Sequence, residues 1–100
     1  MHELLPNNAS LKDVHEVIEW GNRYKDCVGI ILQLPLPEHL APYQDYLLAC
    51  IWPNKDVDGF SKKSPFDPCT PAGIIHIIKT HYRVKDLSDK VVLVVGRGKL

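Results

Sequence analysis

Four stretches of this chain combine residue types that do chemistry. In VGIILQLPLP (28–37) an apolar run stops on Gln33, whose amide is both donor and acceptor. Pro35 and Pro37 follow at alternate positions, so regular structure ends near Gln33 and a stiff extended segment begins. Ligands of open α/β sheets bind outside the carboxyl ends of strands, which makes Gln33 a candidate contact. The plainer reading is a strand end followed by a rigid loop. In KDVDGF (55–60) Asp56 and Asp58 alternate around Val57, which puts both acids on one face of an extended segment with Val57 inward. The pattern lacks the further oxygen ligands and terminal glutamate of a Ca²⁺ loop. One aspartate held by a turn at Gly59 suits a carboxylate that accepts two parallel N–H bonds from a planar heterocycle. An acidic turn is the alternative.

PCTPAG (68–73) places Cys69 beside Thr70, the expected helix N-cap, and Pro71, the expected first helical residue. Free N–H groups at such a terminus attract a polar or anionic ligand. Cys69 is then either a thiol activated by that terminus or a small buried side chain. VVLVVGRG (91–98) ends in Gly96-Arg97-Gly98, where glycine lets backbone approach a phosphate; the run into Lys99 lacks the spacing of a Walker loop. His15, His39, His76 and His81 share no metal-ligand spacing, and no metal is assigned.

The elements that must carry these residues follow from hydrophobic period and punctuation. Ser10 and Asp13 form a capping pair, and Leu11, Val14, Val17 and Ile18 give one apolar stripe, so a helix is expected over Leu11–Arg23, weakening at Gly21-Asn22. Val28–Leu32 has no polar alternation and reads as a strand buried on both faces. Pro42 opens a second helix that ends before Pro53, and 53–68 is loop. A helix runs from Thr70 to about Tyr82, and residues 91–95 form a second doubly buried strand. The order is an α/β pattern, broken by the proline-rich loop into the end of one domain and the start of another.

Composition excludes several classes. Lys+Arg and Asp+Glu are 12 each, so no basic footprint for nucleic acid or an anionic membrane exists. Three widely spaced cysteines fit neither a disulfide framework nor a zinc pattern, so a reducing cytoplasmic setting is expected. No apolar run reaches the roughly 18 residues of a membrane span, and MHELLPNNAS does not read as a signal peptide.

The succession VGIILQLPLPEHL, IWPNKDVDGF, FDPCTPAGI and LSDKVVLVVGRG resembles the methylenetetrahydrofolate dehydrogenase/methenyltetrahydrofolate cyclohydrolase family, and LPNNASLKDVHEVIEWGN is similar to the helix before QLPLP there. The resemblance implies the end of an N-terminal three-layer α/β catalytic domain over 1–68. Residues 69–100 would be a linking helix and the first strand of a Rossmann-like NAD(P)-binding domain. The implied reaction oxidises 5,10-methylenetetrahydrofolate with NADP (or NAD), and water then opens the methenyl product to 10-formyltetrahydrofolate. By position, Asp58 would accept hydrogen bonds from the pterin and Gln33 would orient the catalytic lysine. Leu34 and Pro35 would pack at the folate rings, and Cys69, Thr70 and Pro71 would line the cleft near the cofactor. Gly96, Arg97 and Gly98 would lie at the dinucleotide phosphates. Tetrahydrofolate derivatives would be the partners, and the full-length enzyme a homodimer.

Three departures stand against that pattern. The family's catalytic lysine belongs to a helix upstream of the matched region, and neither Lys12 nor Lys55 takes its position, so these 100 residues alone are expected to be inert. Only Ser61–Asp67 separate DVDGF from PCTP, where the family has a longer stretch; and Gly98 replaces the serine that follows Gly-Arg in the family. Two other readings compete: a non-catalytic remnant that binds folate or pairs through exposed strand edges, and an unrelated dinucleotide oxidoreductase.

Overall fold

In this computed structural model, residues 5–96 are described, and the chain divides into two units, Met1–Cys69 and Thr70–Leu100.

The first unit is built on helix α1 (Leu11–Arg23), with the bounds its sequence suggests. Ser10 is extended, and its hydroxyl accepts from the Asp13 N–H while the Asp13 carboxylate accepts from the Ser10 N–H. This reciprocal capping satisfies donors that the first turn leaves free. Val14 and Ile18, four apart, are buried on the same face. They meet Leu47 of α2 (Gln44–Cys50) and Ile51 just beyond it; with Ala9 and Leu40 these six residues are the buried apolar core. Pro42 sits in a 3₁₀ turn (Ala41–Tyr43) that leads into α2, so the second helix starts two residues later than the proline suggests. The His39 Nε2–H donates to the Ala9 carbonyl at 2.8 Å, tying the loop after the prolines to the entry of α1.

Asn22 is the main polar fastening. It is 2% exposed; its amide donates to the Cys50 carbonyl at 2.8 Å and its carbonyl accepts the Trp52 N–H at 3.0 Å. One side chain thus bonds the end of α1 to the exit of α2, where helical backbone groups run out of partners. The sequence suggested weakening at Gly21-Asn22; burial and this clamp make it a fixed junction instead.

Val28–Leu32 is not a strand. It is extended, and among the described residues its one ladder contact is a parallel bridge of Ile30 with Asp56, in which the Ile30 N–H donates to the Lys55 carbonyl at 2.7 Å. Val28 is 88% exposed and Ile31 is exposed too. A strand needs a continuous partner, and the 53–56 segment supplies one residue before it turns. Gly29 allows that close approach: a Cβ there would stand 2.5 Å from a Val57 methyl. Lys55 reinforces it, its ammonium donating to the carbonyls of Tyr24 and Cys27.

The second unit contains α3 (Cys69–His81) from Thr70 onward and the extended residues 91–96. The helix begins at Cys69, so Thr70 and Pro71 lie inside its first turn and not at its cap and first position. Proline is compatible with that turn because the N–H it lacks would have no helical acceptor. Residues 91–95 are also not a strand: they have no ladder partner among the described residues, and Val91 is 99% exposed. No described residue of 70–96 is buried.

Candidate functional site

Two of the candidates, Gln33 and Asp58, lie on the segments that leave the Ile30–Asp56 bridge. Just downstream of Asp56, the Gly59 N–H donates to the Asp56 carbonyl at 3.3 Å and closes a tight turn over DVDG. Gly59 has φ +69°, and a Cβ there would lie 2.6 Å from the Phe66 carbonyl oxygen and 2.7 Å from the Pro68 nitrogen. Only glycine lets the 66–68 backbone return this closely. The loop from Gly59 to Pro68 therefore folds back onto its own start.

The turn gives the two aspartates of KDVDGF opposite duties, where an extended segment would have given them one face. Asp56 is 2% exposed, and its carboxylate accepts the N–H groups of Phe60 at 3.3 Å and Ser61 at 2.7 Å. The Ser64 hydroxyl donates to the Asp56 carbonyl at 2.7 Å and accepts the Phe66 N–H at 3.1 Å. Asp56 is the loop's internal scaffold. Asp58 is half-buried, and among the described residues its carboxylate accepts one hydrogen bond, from the Cys69 thiol, with Sγ 3.6 Å from Oδ1. The thiol also lies 3.7 Å from the Val57 carbonyl. Val57 points to Gly29, as the alternation suggested.

Cys69 is thus not buried: its free thiol is exposed and turned onto the acid. Gln33 is exposed, and its Nε2 donates to the Leu34 carbonyl at 3.1 Å. That leaves the amide oxygen as an acceptor with no partner among the described residues. Leu34 is half-buried and Pro35, joined to it by a cis peptide bond, is exposed. Gln33 and Asp58 lie three and two residues past the parallel bridge, so both leave the same, carboxyl end of the paired segments. Thr70 and Pro71 belong to the second unit and are exposed. Gly96 has φ +112° and nothing within 4 Å of a would-be Cβ, which is compatible with backbone approaching a phosphate. Arg97 and Gly98 lie outside the described residues.

Sequence reasoning missed three fastenings on which this geometry depends: Asn22, Lys55 and the scaffold role of Asp56. For Asp56 a signal existed, since an aspartate followed by Gly59, Ser61 and Ser64 is the composition of a side-chain-capped turn. Asn22 offered none, because its partners are 28 and 30 residues away. An open groove of about 480 Å³ along α1, lined by Leu5, Ala9, Val17 and Trp20 among others, shares no residue with these candidates.

An acid, a thiol and an amide thus stand at the ends of short elements beside a small packed body. Residues 1–58 match the family described as "Tetrahydrofolate dehydrogenase/cyclohydrolase, catalytic domain". The chain is 40% identical, over 98 aligned residues, to a protein of Bacillus licheniformis named "Bifunctional protein FolD", with 89% of this chain and 33% of the relative covered. Proteins of the same name from Chlamydia abortus (38% identity; 96% and 36% covered) and Tropheryma whipplei (39%; 94% and 34%) are similar to it as well. The chain belongs to the tetrahydrofolate dehydrogenase/cyclohydrolase family, and it spans about a third of the length of these relatives.

Proposed function

We propose that this chain carries the folate-side part of a bifunctional dehydrogenase/cyclohydrolase site in one-carbon metabolism. The reaction is the oxidation of 5,10-methylenetetrahydrofolate to the methenyl form and its hydrolysis to 10-formyltetrahydrofolate. The observation that carries this reading is the division of labour in KDVDGF: Asp56 is consumed by loop N–H groups, which leaves the Asp58 carboxylate for a ligand. Two parallel donors, the ring N–H and amino group of a pterin, match such a carboxylate. The Gln33 amide oxygen is suited to accept from an ammonium and so orient a catalytic lysine, while Leu34 and Pro35 offer an apolar wall to the folate rings.

Residues 1–68 are assigned to the three-layer catalytic domain. Residues 69–100 are assigned to the linking helix and first strand of a Rossmann-like domain, with Thr70, Pro71, Gly96, Arg97 and Gly98 on the nucleotide side. NADP or NAD, when bound, would accept the hydride. No residue of these 100 matches the family's catalytic lysine, so a polypeptide of this length is assigned binding without turnover. The assembled enzyme is taken to be a cytoplasmic homodimer, which three free cysteines, Cys27, Cys50 and Cys69, suit.

Calorimetric titration of the chain with 5-formyltetrahydrofolate tests the reading. Binding heat is expected and is expected to vanish in Asp58→Ala with the circular dichroism spectrum unchanged. Equal heat in both proteins removes the assignment, and dehydrogenase activity from the 100 residues alone removes the claim of inertness.

A further inference from the structure

Resting on the folate reading of Asp58, we infer that Cys69 is a positioning residue whose thiol holds the Asp58 carboxylate in the orientation a pterin would meet. The chain between them is long, yet the fold returns it to the point of departure. Gly59 lets the 66–68 backbone pack within van der Waals limits of the DVDG turn, and Asp56, Ser61 and Ser64 lock the intervening loop. The result sets Sγ 3.6 Å from Asp58 Oδ1 and 3.7 Å from the Val57 carbonyl, both within reach of a thiol donor. No described backbone N–H or basic side chain touches Asp58, in contrast to Asp56, so the thiol is its restraint within the described residues.

The carboxylate also keeps acceptor sites for a ligand. A carboxylate has about four lone-pair sites on its two oxygens. The thiol occupies one on Oδ1, leaving Oδ2 and the second site of Oδ1 for a pair of parallel N–H donors. A thiol is a weak donor, so it fixes orientation without neutralising the charge that attracts the ligand. The loop closure and the ligand contact are in this way one construction, because the residue that ends the loop aims the acid that begins it.

Four forms of the full chain test this: wild type, Cys69→Ala, Cys69→Ser and Asp58→Ala, each titrated with 5-formyltetrahydrofolate. Cys69→Ala is expected to weaken binding about fivefold, the worth of one modest hydrogen bond. Cys69→Ser, which keeps a donor, is expected to recover most of it. Infrared spectroscopy supplies a readout independent of folate. The S–H stretching band missing from Cys69→Ala is expected at lower frequency than a free thiol, and closer to the free position in Asp58→Ala. Unchanged affinity in Cys69→Ala, or a loss that Cys69→Ser does not repair, overturns the positioning role alone. An S–H band indifferent to Asp58→Ala overturns the bond. A wild-type chain that binds no folate while its band still responds to Asp58→Ala overturns the substrate reading, and with it the purpose assigned to the bond.

Discussion

Helices α1 and α3 are each 13 residues long, and α3 is the more apolar, yet only α1 buries anything. In residues 5–69, Val14 and Ile18 share one stripe of α1 and meet Leu47 and Ile51 in the same unit. In residues 70–96, Ile74, Ile75 and Ile77 point around much of α3 and remain exposed, as do Val91–Val95. Apolar content therefore does not make a core. A core needs a facing surface of matching period, and among the described residues of its own unit α3 has none. The candidate acid, thiol and amide are carried by the region that has the core, where their supports can be rigid.

Substitutions ordered by expected effect probe this contrast. Leu47, at 0% exposure, is the centre of the packed region, and Leu47→Ala should cost about 3 kcal/mol in urea denaturation. Against a total stability of about 5–15 kcal/mol, that loss should be plain in the unfolding midpoint. A midpoint within error of wild type would mean the six buried residues are not the core. Asn22→Ala strips one carbonyl and one N–H of their partner and should cost about 2 kcal/mol. A loss as small as that of an exposed site would break the view that polar fastening as well as packing sets this region apart.

Ser10→Ala should cost about 1 kcal/mol through the lost helix cap. The cap also predicts a pH response. The Ser10 backbone N–H, and then its hydroxyl, hold the Asp13 carboxyl below its ordinary value of 3.8. A depressed folded pKa stabilises above the unfolded value and is lost as pH falls through the folded one. Stability of wild type should therefore drop below about pH 4 more than that of Asp13→Asn; parallel curves would refute the coupling. The smallest effect belongs to the other region: Ile77→Ser should change the unfolding free energy by less than about 0.5 kcal/mol. A larger loss would show that α3 is packed after all, and the contrast between the regions would fail.

Much of this was legible in local pattern. The capping pair and apolar stripe mark α1 at both ends, and the prolines after Gln33 mark where the extended run stops. Asp58 and Cys69 stand out by type and by neighbouring Gly59 and Thr70. Less legible were the two apolar runs, 28–32 and 91–95, which look like buried strands but are extended and largely exposed. Strand ladders are made with distant partners, so a run of Val and Ile states a propensity and not a pairing.

By itself the sequence determined what depends on a few consecutive residues: the limits of α1, the break at Gln33, a turn at Gly59, and which side chains have chemistry to offer. The tertiary structure decided which acid of KDVDGF supports the loop and which does not, that a thiol 11 residues later reaches the second acid, and that Asn22 joins the end of α1 to the exit of α2. Those outcomes rest on contacts closed by the whole chain's path, whose directional bonds form only once packing has brought distant backbone groups within about 3 Å.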